Sequence, residues 1–455
     1  MSVNTPERHR APEPGRLDRF FGLSRAGTNT GREIVAGLTT FGAMSYVLVV
    51  NPAILSSAGL DRHGLIIVTA VAAMLGTLLM ALWARLPVGL APGMGTNVIF
   101  AQVVILQMGL SYHIALTMVL AGGLMFMMLS LTGWRERIIL GFPGSIRLGI
   151  QCGIGTLIAY LGLKNGGLLV IGDHRVSFGH LSDPSVLLTY AGILVTPVLV
   201  AMRIPAALLL SIAAITIMGL FVHLPDGTPV TRLPTALWDW PHYPTQYLFA
   251  VDVPGFFSNF FVVLPLTLYF FLADFFSATA TLMAVCGRSP MATPEGRIPN
   301  AYQAFAADGV AAAMSGLLGT STVGAYIESA AGVEAGGRTG LTALTVAVLF
   351  GLGLFLWPVI SIVPPQATAG VLVVVGLLML RGLAELDTSV PENALPPLLI
   401  VLLIATTTNL MIALCSGCFV YTLIVLVRGQ VRKLTPMLIG LDVTLLLYLV
   451  LTRHM

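Results

Sequence analysis

The sequence predicts an all-α membrane protein of about fourteen transmembrane segments, arranged as two halves of seven. Three observations lead there. The 455 residues are 56% hydrophobic and 9% charged, whereas an average soluble domain carries about 25% charged residues. Arginines recur at alternate ends of the apolar runs, as the enrichment of basic residues in cytoplasmic loops requires. Two segments crowded with proline, glycine and small polar residues stand at corresponding positions of the two halves, third and tenth in order.

Taken from the start, residues 1–30 are polar and rich in Arg and Pro, with no apolar core of a signal peptide, and are expected to form a disordered cytoplasmic leader. A bilayer core takes ~20 apolar residues per helix. Such runs occupy 34–56, 64–84, 94–110, 113–132, 145–163, 186–202 and 205–222, the first repeat of seven within 31–222. A polar, Pro-rich connection follows at 223–254. The second repeat, within 255–452, comprises 256–285, 302–319, 326–335, 341–363, 366–384, 396–427 taken as one span, and 437–452.

With the N-terminus inside, even-numbered segments should leave the membrane beside basic residues, and they do at Arg85, Arg135 with Arg137, Arg203, Arg288 with Arg297, Arg338 and Arg381. The alternation then breaks. Arg428, Arg432 and Lys433 precede the last segment, where a fourteen-span count puts an outer loop. The interrupted segments are Pro87-Val-Gly-Leu-Ala-Pro-Gly-Met-Gly-Thr-Asn97 and Gly319-Thr-Ser-Thr-Val-Gly-Ala-Tyr-Ile-Glu-Ser-Ala-Ala-Gly332. Irregular backbone at membrane depth survives only where protein or a water-filled cavity satisfies it, and paired interruptions point to a carrier's midplane site.

Several function classes drop out. A formal charge of +3, with basic residues dispersed between apolar runs, gives no nucleic-acid role. Neither lysine, Lys164 or Lys433, follows a glycine as a Walker A motif demands. The histidines fall in tails and predicted loops, so no catalytic triad or HExxH helix is present and no enzyme is expected. Cys415-Ser-Gly-Cys418, Cys152 and Cys286 read as packing residues, with no disulfide, metal or other cofactor. A secondary carrier remains.

Ionisable groups at membrane depth cost ~2.5–3.5 kcal/mol each on insertion scales and are functional candidates by default. Glu328 opens the broken tenth segment, where its carboxylate can accept hydrogen bonds from the N–H groups of a planar heterocycle; its competing role is to cap its own helix. Asp308 in the ninth segment can relay protons or join helices. Asp274, in the very apolar Tyr269–Thr281 stretch, can line a cavity or pair within the bundle. Asn97 offers an amide that both donates and accepts, with helix capping as the alternative. Gly89, Gly93 and Gly95 would let backbone approach a ligand or another helix. Glu334 lies nearer the cytoplasmic end.

Ala36-Gly-Leu-Thr-Thr-Phe, Asn51-Pro-Ala-Ile-Leu-Ser56, Leu90-Ala-Pro-Gly-Met-Gly, Leu318-Gly-Thr-Ser-Thr322, Tyr326-Ile-Glu-Ser-Ala-Ala-Gly-Val333 and Ala335-Gly-Gly-Arg-Thr-Gly-Leu341 resemble the nucleobase-cation symporter-2 superfamily, within it the AzgA-like hypoxanthine, guanine and adenine permeases. The resemblance spans residues 31–452. It implies intertwined inverted repeats split into core and gate domains, with short strands before the broken third and tenth helices. It also implies proton symport and homodimeric assembly in the inner membrane. Carried over by position, Glu328 matches the tenth-helix substrate carboxylate, with Tyr326 beside it, Asn97 the third-helix asparagine and Asp308 a ninth-helix aspartate. One departure stands out. Where the family's eighth helix reads Asp-Leu-Phe-Asp-Thr-x-Gly-Thr, this chain reads Asp274-Phe-Phe-Ser-Ala-Thr-Ala-Thr281, so Ser277 replaces the second acid. Serine hydrogen-bonds but carries no charge; Asp274, one turn earlier, is placed to compensate.

The expected function is therefore a proton-coupled purine permease working by alternating access, with Glu328, Ser277, Asn97, Tyr326 and Asp274 at the substrate and Asp308 with Glu328 in coupling. A same-fold carrier of another small polar or anionic solute, prompted by Ser277, and a non-transporting purine-binding receptor are the competing readings.

Overall fold

The computed structural model describes residues 15–132, 143–171, 176–234, 236–286, 298 and 300–452. Arg135, Arg137, Arg288 and Arg297, which entered the topology argument, lie outside the described residues. Nine helices among the described residues are long and apolar enough to cross a membrane.

Of the expected leader, residues 1–14 lie outside the described residues, and residues 15–30 do not follow expectation. Arg16–Phe21 forms helix α1, and Phe21 and Leu23 pack against Leu341, so apolar contact orders the chain well before residue 30. The first span is bent. Asn29 caps α2 (Thr30–Met44) by accepting from Arg32 N at 3.0 Å, and after Ser45 and Tyr46 the span resumes as α3 (Val47–Ser56). Asp61 caps α4 (Arg62–Leu79), which runs on as a π-helix to Ala84. Strand β1 (Leu90–Pro92) leads into α5 (Met94–Val98), extended as a π-helix to Gln107. Then come α6 (Tyr112–Leu131), α7 (Gly144–Asn165), the hairpin β2 (Leu169–Ile171) and β3 (Val176–Phe178), α8 (Pro184–Ala201) and α9 (Ala207–Met218).

The 223–254 connection lies across helix ends. Tyr247 Oη accepts from Asp61 N at 3.0 Å, and Phe249 N donates to Leu317 O at 2.7 Å. Beyond it follow α10 (Val253–Ser258), α11 (Phe260–Cys286), α12 (Ala301–Leu318), strand β4 (Val323–Ala325), the short α13 (Ser329–Glu334), α14 (Gly340–Gly353), α15 (Trp357–Ser361) and α16 (Pro365–Leu380).

The 396–427 run, expected as one span, is two helices. Thr408 adopts a left-handed conformation, φ 54°, and the Asn409 side chain accepts from Ile412 N at 3.0 Å, so α17 (Pro391–Thr407) ends and α18 (Leu410–Val427) begins afresh. That turn restores the arginine pattern: Arg428, Arg432 and Lys433 now follow an even-numbered segment. The last helix, α19 (Pro436–Thr452), becomes one more than the two sets of seven.

Packing sorts the helices into two bundles. In one, α2, α4, α6, α11, α12, α13 and α14 pack together; in the other, α7, α8, α9, α16, α17 and α18 do. Glycine permits the closest approach in each. A Cβ on Gly123 of α6 would stand 2.2 Å from Ala313 N of α12, and one on Gly376 of α16 would stand 2.3 Å from Gly155 O of α7. α19 touches α11 of the first bundle and α18 of the second.

Candidate functional site

The two interrupted segments meet in the interior of the first bundle. β1 and β4 pair antiparallel, Leu90 opposite Ala325, Ala91 opposite Gly324 and Pro92 opposite Val323, bringing together positions more than two hundred residues apart. Backbone groups that would be orphaned at this depth find partners. Gly93 N donates to Thr322 O at 3.0 Å, Tyr326 N to Gly89 O at 3.0 Å, and Gly89 N to Ser329 Oγ at 3.0 Å. Thr77 of α4 donates to Leu90 O at 2.8 Å and accepts from Leu90 N at 2.9 Å. Such accounting is what permits non-helical backbone away from water.

Glu328, Asn97, Tyr326, Asp308 and Asp274 lie at this crossing with different employments, whereas Ser277 and Glu334 are exposed. Glu328 occupies the position before α13, yet its side chain makes no capping hydrogen bond. Its Oε1 instead accepts from Tyr46 Oη at 2.9 Å, across from the break between α2 and α3. The capping role weighed from sequence is thus not the one the carboxylate plays. Asn97, fully buried, accepts through Oδ1 from the Ser321 hydroxyl, tying the first turn of α5 to the chain entering β4. Its Nδ2 has no partner among the described residues.

Tyr326 is buried and its hydroxyl donates to Pro92 O, so that group serves the crossing itself. Asp308 of α12 is 1% exposed, neither carboxylate oxygen has a hydrogen-bond partner among the described residues, and Oδ1 lies 3.8 Å from where a Cβ on Gly324 would begin. Asp274 of α11 is buried and faces Thr322. Ser277 lies on a different strip: Asp274, Ala278 and Thr281 are buried, whereas Ser277 and Ala280 are exposed. Glu334 is exposed at the end of α13.

The glycines proposed for close ligand approach are occupied by protein. A Cβ on Gly89 would meet Met44 Sδ at 2.6 Å, on Gly93 Thr96 Oγ1 at 2.9 Å, and on Gly95 Ile154 Cγ2 at 3.3 Å. Sequence reasoning also passed over three interior groups. Tyr46 is 2% exposed and holds Glu328. Asn51 donates to Thr69 Oγ1 at 2.7 Å, linking α3 to α4. Glu33, fully buried, accepts from Arg338 N at 2.8 Å, Thr339 Oγ1 at 2.9 Å and Thr342 Oγ1 at 2.6 Å, among others, and so caps α14 from α2. The apolar runs around these residues hid them, although an acid inside a span was itself a signal.

Chemically the crossing offers one carboxylate shared with a phenol, a free amide donor, and two sequestered carboxyl groups behind the strands. That set suits a neutral ligand with ring N–H and carbonyl groups. A model described as a permease family matches residues 31–415. The chain is 34% identical over 438 residues to the guanine/hypoxanthine permease PbuO of Bacillus subtilis, covering 92% of this chain and 97% of that one. It is 34% identical over 429 residues to the adenine permease AdeP of Escherichia coli, covering 93% and 94%. Among solved structures, the transmembrane domain of the cyanobacterial bicarbonate transporter BicA aligns with TM-score 0.60 at 16% identity, covering 83% of this chain and 96% of that one. Murine Solute Carrier 26 family member A9 aligns with TM-score 0.60 at 11% identity, covering 93% and 74%. These structures share the fold of inverted repeats; in this chain the short strands β1 and β4 stand ahead of the two broken helices.

Proposed function

The chain belongs to this permease family, the nucleobase-cation symporter-2 superfamily, and from that premise we propose that it imports a purine nucleobase such as hypoxanthine, guanine or adenine across the inner membrane. The observation carrying the reading is the Glu328 carboxylate. It stands at the crossing of the interrupted segments, makes no capping hydrogen bond to α13, and receives the Tyr46 hydroxyl on Oε1, so that Oε2 is the oxygen assigned to a ligand. A purine presents ring N–H donors to such an oxygen and carbonyl or ring-nitrogen acceptors to donors such as Asn97 Nδ2. Ser277, on the open strip of α11, adds a neutral hydroxyl where relatives in the resemblance carry an acid.

Transport proceeds in this reading by alternating access, one bundle moving against the other, with residues 31–222 and 255–427 as the repeats and α19 appended. Proton symport is assigned to Glu328 with Asp308, whose carboxyl group is sealed behind β4. The N-terminus faces the cytoplasm, in line with the basic loops, and a homodimer is the expected assembly. A carboxylate at the ligand disfavours anionic cargo, which it would repel.

The test is uptake of radiolabelled hypoxanthine, guanine and adenine into proteoliposomes, with and without a proton gradient, for the wild type and Glu328→Gln. Saturable uptake of at least one base, stimulated by an inward-directed proton gradient with the outside acidic and reduced more than tenfold by the substitution, is expected. Uptake of none, or equal uptake by the variant, defeats the assignment.

A further inference from the structure

Among the described residues Tyr46 is the one side chain in hydrogen-bond contact with the Glu328 carboxylate, and the two residues are 282 positions apart in sequence. The tyrosine sits between α2 and α3, where the first span is broken: Val49 N and Val50 N both donate to its carbonyl, at 3.1 and 3.0 Å, so its backbone starts α3. Its ring is 2% exposed, held in the apolar core with Met44, Val47 and Val50. A phenol fixed this firmly has little freedom to follow a mobile partner. It therefore orients the carboxylate, and not the reverse.

We propose that Tyr46 is a positioning residue for the ligand site, its hydroxyl engaging Glu328 Oε1 so that Oε2 is presented to the ring N–H of a bound base. The inference rests on Glu328 being the substrate carboxylate. A carboxylate oxygen has lone pairs for more than one donor, so the phenol and a ligand bind the same group without competing. With the rotamer set in advance, binding avoids the cost of immobilising a free glutamate, and the phenol keeps the carboxylate charge-assisted in a region of low dielectric. Tyr326 supplies an internal contrast. It has the same chemistry and lies two residues from Glu328, but its hydroxyl is committed to Pro92 O. The first span thereby enters the site through a side chain on its own break, so movement of that break moves the carboxylate.

The experiment measures binding of hypoxanthine, guanine and adenine by purified full-length protein in nanodiscs, and uptake KM and kcat in proteoliposomes. The variants are Tyr46→Phe, Glu328→Gln and the double variant Tyr46→Phe/Glu328→Gln. Tyr46→Phe keeps the buried ring and removes one hydroxyl; on the order of a tenfold weaker Kd, with a matching rise in KM and little change in kcat, is expected. In the Glu328→Gln background the amide can still accept from the phenol but no longer offers a second oxygen to a ring N–H, so the loss from Tyr46→Phe should fall to within about twofold. Glu328→Asp, which withdraws the carboxylate from the phenol, is the second route: it should weaken binding similarly and gain no further loss from Tyr46→Phe. Unchanged or tighter binding by Tyr46→Phe, or a loss that persists in full beside Glu328→Gln, overturns the inference while leaving the function reading intact. Normal binding by Glu328→Gln overturns both.

Discussion

Buried polar residues in this chain divide into those whose hydrogen-bonding capacity is spent and those whose capacity is open. Glu33 is fully spent: backbone and hydroxyl donors from Arg338, Thr339 and Thr342 surround its carboxylate at the start of α14. Glu33→Gln replaces one acceptor oxygen with a donor facing donors, and should destabilise the protein by about 2–4 kcal/mol. Thermal melting in detergent checks this, and an unchanged melting temperature contradicts it. Asn97 keeps Nδ2 without a partner among the described residues, and Glu328 bonds one phenol, so these two are the groups proposed to meet a ligand. Glu328, Asp274 and Asp308 were legible as candidates because acids inside apolar runs are conspicuous. Tyr46 was not, since a tyrosine beside valines reads as ordinary core until its hydroxyl is seen to reach another span.

Helix boundaries were legible where capping chemistry marks them and illegible where two helices share one apolar run. Asn29, Asp61, Ser111 and Asp183 each accept from backbone amides at a helix start, as their residue types announce. Thr-Thr-Thr-Asn at 406–409 carries the same signal, with Asn409 capping α18, but continuous hydropathy on either side concealed it. The turn at Thr408 and the loop at 428–433 then lie at opposite ends of α18. Single cysteines introduced at Thr407 and Arg432, both exposed, should react with an impermeant maleimide from opposite sides of the membrane. Labelling from the same side would remove the split. The left-handed backbone of Thr408 is also strained for a β-branched residue; Thr408→Gly should raise stability by about 1 kcal/mol, read as a higher melting temperature.

The molecule as a whole is two bundles whose relative movement a carrier would use, and α19 touches both. Its link to α18 includes a short, partly buried hydrogen bond, Thr422 Oγ1 to Asp442 Oδ2 at 2.5 Å, while its other face lies on α11. The family model ends at residue 415, before this helix begins. A chain ending at Leu434 keeps the ion pairs of Glu392 with Arg428 and Lys433, at 2.5 and 2.9 Å, and should remain folded. Its transport rate should change by several-fold with ligand affinity held, measured as kcat against Kd; an unaltered rate would show that α19 does not restrain the bundles.

The sequence by itself determined the class of molecule, the two interrupted segments and the acids worth watching. Each of these follows from local composition: apolar length, proline and glycine content, and the cost of charge in hydrocarbon. Only the tertiary structure decided that β1 pairs with β4, that Glu328 is held by Tyr46 instead of capping its helix, that the Tyr326 hydroxyl is spent on Pro92, and that the last apolar run is two helices. Those outcomes depend on which groups meet across hundreds of residues. Hydrogen-bond capacity is allotted by such meetings, and no one-dimensional pattern records them.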